Sequence, residues 1–167
     1  MVGLLLGIIA DSHDNLPKID AAVAKLNDLA VELVLHAGDY CSPFAALRFQ
    51  GLKSKMIGVF GNNDAERELL KTKFESLGHE VRSRFVSLEV DKMRIAVLHG
   101  DEENLIEDLI RSQSYDLIIS GHTHSLSKLQ KDRTMCLNPG EICGYLSGRA
   151  TIAIFETSSR TIEIVDI

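Results

Sequence analysis

The chain has no Cys-x-x-Cys pair, no excess of basic residues, no internal repeat, no linker-like or low-complexity stretch, and no apolar run that reads as a membrane span. Each absence removes a class of protein. Cys41, Cys136 and Cys143 are odd in number, which argues against a disulfide framework and for reduced thiols in a cytosol. Cys41 follows Asp39 closely and so falls near any site there, but a small buried hydrophobe accounts for it. Lys and Arg number 18 against 24 Asp and Glu, a net charge of −6, so there is no strong footprint for nucleic acid or an anionic membrane. That balance says nothing against a local phosphate site. Residues 1–11 are apolar but lack a basic flank and a small-residue cleavage site, and Asp11, Ser12 and His13 cut them short. They read as a strand, neither a signal peptide nor a membrane anchor. The expected location is cytoplasmic.

What is present fits one folded domain over residues 1–167, with 45% hydrophobic and 25% charged residues. Residues 2–10 form an apolar run that predicts a buried first strand. Asp14 or Asn15 can cap a helix with Pro17 in its first turn, and Ile19, Ala22, Val23 and Leu26 recur at helical spacing. A strand over 32–36, a helix from Ser42-Pro43 to about 49, a strand over 55–60 and a helix over 65–77 follow. Gly78 closes that helix. The pattern then changes to hairpins: 85–90 with 93–98, 126–130 with 134–137, and 151–156 with 161–165. A helix over 103–112 and a strand over 117–119 lie between them. Strand–helix alternation predicts parallel units, and hairpins predict antiparallel pairing. An α/β protein of two mixed sheets packed together with helices outside satisfies both; a single doubly wound sheet is the alternative.

The chemistry gathers at strand ends. The successive strands deliver Asp11-Ser12-His13, Gly38-Asp39, Gly61-Asn62-Asn63-Asp64, His99-Gly100-Asp101 and Gly121-His122-Thr123-His124. Ligands of α/β sheets bind outside the carboxyl ends of the strands. Carboxylate, imidazole and amide oxygen suit borderline divalent ions such as Mn, Ni, Fe, Zn or Co, and Mn is the first expectation. Seven donors exceed the needs of one ion. A shared carboxylate can bridge two ions about 3.5–4 Å apart, an arrangement that activates water and clamps a phosphoryl oxygen. A (β/α)₈ barrel, which also uses His-x-His, needs around 250 residues. A cupin would lack the early helix–strand alternation.

The ordered motifs Asp11-x-His13, Gly38-Asp39, Gly61-Asn62-x-Asp64, His99-Gly100 and Gly121-His122-x-His124 resemble those of the calcineurin-like metallophosphoesterases. The short chain and the Asn138-Pro139-Gly140 loop look like the small YfcE-like phosphodiesterase branch. The resemblance covers essentially the whole chain. It implies a four-layer αββα sandwich and a dinuclear site. Asp11, His13, Asp39 and His124 would hold one metal; Asp39 would bridge to a second, held by Asn62, His99 and His122. The implied reaction is attack on phosphorus by a hydroxide held between the ions, with a small phosphodiester as substrate. A homodimer is compatible with the resemblance alone. The rival it raises is a non-catalytic protein-binding scaffold like the retromer subunit of this fold; the intact Asp11-x-His13 pair argues against it.

One position departs from the family pattern. Many relatives carry histidine between Asn62 and Asp64, where it can protonate a leaving group; here it is Asn63. An amide can donate a hydrogen bond but cannot deliver a proton near neutral pH. Weak activity on phosphomonoesters is therefore expected. Asn63 and Asp64 are the candidate catalytic pair, Asp64 holding either Asn63 or a loop amide. His36 can orient a ligand or be a satisfied core histidine. His79 reads as a surface residue, Arg149 as a solvated loop arginine, Asn15 as a helix cap, and Asp101 and Glu102 as helix N-terminal charge.

Overall fold

The computed structural model describes residues 3–167, so the strand expectation for Val2 lies outside the described residues. In β1 (Leu5–Ile9) side chains alternate as a pleated strand requires. Ile9 enters an apolar cluster beneath three helices; Leu6 and Ile8 enter a second cluster between the sheets. β2 (Leu33–His36) and β3 (Lys55–Gly58) divide in the same way, with Val34 and Met56 towards the helices and Leu35 and Ile57 towards the other sheet. Burial on both faces is why these strands read as nearly unbroken apolar runs.

The first sheet runs β11-β10-β1-β2-β3-β4, where β4 is Glu80–Val81, β10 Thr151–Glu156 and β11 Thr161–Asp166. β1 to β4 pair in parallel, while β10 and β11 add antiparallel. The second sheet runs β5-β6-β7-β9-β8: Phe85–Val90, Met93–Leu98, Leu117–Ile119, Thr134–Asn138 and Ser127–Lys131. It too mixes parallel and antiparallel pairs.

α1 (Leu16–Asp28), α2 (Pro43–Arg48) and α3 (Arg67–Ser76) cover the first sheet. α1 buries Ile19, Ala22, Val23 and Leu26, the expected stripe. α4 (Glu103–Ser112) lays Leu105, Ile106, Leu109 and Ile110 over Ala96, Leu98 and Ile118 of the second sheet. The layers are therefore helix, sheet, sheet, helix: an αββα sandwich of two mixed sheets.

Two expectations need correction. α3 begins at Arg67 rather than residue 65, because Glu66 is its non-helical N-cap, at φ −89° and ψ 55°, and accepts the first helical bond from Leu70 N. His79 is buried, not superficial. Gly78, at φ 82°, and His79 donate their amides to Glu75 O and Phe74 O, the paired bonds of a Schellman cap. That cap turns His79 inward, where Met56 N donates to its Nδ1 and its Nε2 meets Phe49 O.

Candidate metal centre

The five strand-end loops converge because they hydrogen-bond to one another. Asp11 N donates to Gly38 O, and Ser12 N and His13 N donate to Asp39 O. Gly121 N donates to His99 O, and His122 N to Asp11 Oδ2. The turns are tight. Asp11, His13, Asp39, His122 and His124 all take positive φ, between 39° and 67°. Such backbone is uncommon outside glycine and collects at functional sites. Two glycines are needed for close approach. A Cβ on Gly61 would lie 2.0 Å from Asp39 Oδ1, and one on Gly121 would lie 2.6 Å from Asp11 Oδ2.

All seven predicted metal ligands meet at this rim. Asp39 is central, with Oδ2 3.3 Å from both His13 Nε2 and His99 Nε2. On one side Asp11 Oδ1 lies 3.6 Å from His13 Nε2 and 3.7 Å from His124 Nε2, and the His13 and His124 rings stack at 4.9 Å. On the other side Asn62 Oδ1 lies 2.8 Å from His99 Nε2 and 3.1 Å from His122 Nδ1. Donor atoms of Asp11, His13 and His124, and again of Asp11, Asp39 and His99, fall within 4.8 Å of one another.

These groups create a field that attracts cations. Burial opposes charge on His13, yet Asp11, Cys41 and Asp39 together raise its pKa from 6.5 to about 10. Burial also opposes charge on Asp39, but hydrogen bonds from His99 and Asn63 hold it well below the usual carboxylate range. His99 is raised against its burial, chiefly by Asp39. A metal fits this donor set on a further observation. Among the described residues, Asp11 Oδ1 and His13 Nε2 are buried with no hydrogen-bond partner. Buried polar atoms are normally satisfied, and one cation would satisfy both.

Three imidazoles are held from behind. His99 Nδ1 meets Ala37 O at 2.8 Å, His13 Nδ1 meets Cys41 Sγ at 3.3 Å, and His124 Nδ1 meets Glu141 Oε2 at 2.6 Å. Each contact turns Nε2 towards the centre. Cys41 is therefore more than a space-filler. Asp64 is buried and accepts the amides of Asp39, Cys41 and Gly61, so it braces the loops and does not hold Asn63. Asn63 is exposed and faces Asp39, donating its amide to Oδ1 at 2.9 Å and Nδ2 to Oδ2 at 2.7 Å.

Of the remaining residues, His36 is buried, and its Nδ1 accepts from Gly38 N at 3.0 Å. Asn15 caps α1 and also donates to Cys143 O. Asp101 pairs with Arg84. Arg149 is exposed and pairs with Asp166. Glu141 was not anticipated. Its only trace in the sequence is one acid inside Gly140-Glu141-Ile142-Cys143-Gly144, where its neighbours are apolar or small.

A layered sandwich with carboxylate, imidazole and amide donors gathered outside its strand ends has the make-up of a metallohydrolase. Residues 4–160 match the model of the calcineurin-like phosphoesterase superfamily domain. The chain is 39% identical over 156 residues to phosphodiesterase MJ0936 of Methanocaldococcus jannaschii, covering 93% of this chain and 94% of that one. It superposes on the structure of a novel archaeal phosphodiesterase with TM-score 0.94 and 36% identity, over 98% of this chain and all of that one. The chain belongs to the calcineurin-like phosphoesterase superfamily and is a phosphoesterase. YfcE of E. coli (TM-score 0.73, 19% identity, 98% of this chain and 100% of that one) and Vps29 of Entamoeba histolytica (0.71, 19%, 98% and 99%) share its fold.

Proposed function

We propose that the chain is a divalent-metal-dependent phosphodiesterase acting on a small phosphodiester, with little activity on monoesters. The observation that carries this reading is the Asp39 carboxylate midway between two donor groups, beside the unpartnered Asp11 Oδ1 and His13 Nε2. Asp11, His13, Asp39 and His124 would hold one ion, and Asp39, Asn62, His99 and His122 the other. Mn is the first ion to test, and Ni, Fe, Zn or Co suit the same donors. Two such ions, when bound, supply a nucleophile by acidifying water and offset the charge that develops on the phosphoryl group.

The chain's own residues do the rest. Asp64 and the glycine turns fix the loops that carry the donors. Asn63 Nδ2 is bound to Asp39 and can orient a substrate oxygen or that carboxylate, but it has no proton to give a poor leaving group. Activated or well-stabilised leaving groups are therefore preferred. The 39% identity to a protein named a phosphodiesterase supports the same choice.

The test uses metal-stripped protein reconstituted with Mn and assayed on an activated diester and an activated monoester. Metal-dependent diester cleavage that exceeds monoester cleavage is expected, with two ions bound per chain. Asn63→His should raise monoester turnover by about 10²-fold, the low end of general-acid effects. No metal-dependent diester cleavage would sink the reading and favour a binding scaffold. A strong monoester preference in the wild type would sink the argument from Asn63.

A further inference from the structure

The Glu141 carboxylate is fully buried, yet among the described residues no lysine or arginine pairs with it. Its partners are five donors. Oε2 receives His124 Nδ1 at 2.6 Å and the Cys143 thiol at 2.9 Å. Oε1 receives Leu146 N at 3.0 Å, Ser147 N at 2.6 Å and Ser147 Oγ at 2.7 Å. A buried carboxylate is costly, and a neutral amide or a packed apolar residue would fill the space at less cost. What a carboxylate adds is a strong acceptor for one imidazole nitrogen.

We infer that Glu141 is the positioning residue of His124, fixing its proton on Nδ1 so that Nε2 points to the centre, and tying that imidazole to the 145–148 loop. The inference rests on the reading that His124 holds an ion. An imidazole free to flip could turn either nitrogen to the metal; the 2.6 Å contact leaves Nε2 alone on the side of Asp11 and His13. Carboxylate–imidazole–metal arrangements of this type fix the tautomer and raise ligand basicity. The second oxygen of Glu141 gives the arrangement reach. The loop it pins carries the exposed Tyr145 and Leu146. Ser147 of the same loop lines, with His124, Leu126 and Arg149, a cavity of about 290 Å³ beside the centre. Glu141 thus contacts both His124 and the Ser147 side of that cavity.

The isosteric variant Glu141→Gln keeps the volume but cannot accept from both groups. Calorimetric titration of metal-free protein with Mn should find two ions in the wild type. In Glu141→Gln one position should keep its affinity, and the other should weaken by about 10–100-fold. Ser147→Ala removes one loop contact of Oε1 and leaves the Oε2 contact to His124, so it should keep both affinities. Retention of both affinities in Glu141→Gln would overturn the inference. So would an equal loss in Ser147→Ala, since that marks a role in holding the loop alone. A wild type that binds no metal would overturn the metal reading and this inference with it; two ions in the wild type and two unchanged in Glu141→Gln would overturn this inference alone.

Discussion

Asp11, His13 and His124 are buried or half-buried, whereas Asn62 and His122 stand exposed at the rim on the far side of Asp39. The first group has its imidazoles fastened from behind by Cys41 and Glu141, and two of its donor atoms have no hydrogen-bond partner among the described residues. In the second group only His99 is fastened, by Ala37 O, and the donors close on each other: Asn62 Oδ1 contacts both His99 Nε2 and His122 Nδ1. One half is organised in advance and shielded from water. The other must exchange an internal contact for any ligand and stays open to solvent. Binding costs less when the site is preorganised. The two halves should therefore differ in affinity, the buried half holding its ion more tightly and the open half exchanging more readily.

The change that would erase the distinction is Asp39→Asn. Among the described residues, Asp39 is the one carboxylate within 3.3 Å of imidazoles from both halves. The amide is isosteric but uncharged, so both ions should be lost on desalting, and diester kcat/KM should fall by about 10³-fold, the upper scale for removing a principal electrostatic element. Metal analysis alongside kinetics checks this. Retention of both ions by the variant would show that Asp39 is not shared.

Separating the halves requires the two histidines that the sequence places one residue apart. His124→Ala should empty the buried position and His122→Ala the open one, with the larger loss of affinity in His124→Ala because its imidazole is the better fastened. Anomalous scattering from crystals of the two variants soaked in Mn reads the occupancies directly. Loss of the same position in both variants would end the division into halves.

The gathering of the donors was legible in the sequence, whereas their division into halves came only from the family resemblance. The seven donors follow apolar strands, and strand ends of an α/β sheet share one rim, so their convergence followed from pattern and topology. The two mixed sheets followed from the switch between helix alternation and hairpins. What the pattern hid was support at a distance. Glu141 reaches His124 across 17 positions, from a loop whose composition gives no periodicity to read. Cys41 had a bland explanation as a small apolar residue, and only the turn at φ 75° brings its sulfur to His13. His79 failed as a surface residue because a Schellman cap, invisible in hydropathy, folds it back under the helix. β4 has only two residues, too few to show alternation.

The smallest expected effect concerns the wall both halves share. His36 ends β2 two residues before Gly38, whose amide donates to its Nδ1; its ring packs on Tyr40 at 4.1 Å, and its Nε2 is buried without a partner. Burial, then the nearby His99, lowers its pKa from 6.5 to about 3. In the unfolded chain His36 takes up a proton below about pH 6.5, which the folded state refuses until about pH 3. Its contribution to stability is therefore present above pH 6.5 and is lost as pH falls towards 3. The slope approaches one proton, or about 1.4 kcal/mol per pH unit. His36→Asn keeps an acceptor for Gly38 N and does not titrate. Its stability should be lower at pH 7, from lost packing, but should fall less steeply between pH 6.5 and 4. Urea midpoints of metal-free protein across that range would decide it: parallel slopes for variant and wild type would mean that acid enters through other groups. A shallower slope in the variant would show that His36 is one group through which mild acid destabilises the fold that carries the Gly38-Asp39 turn.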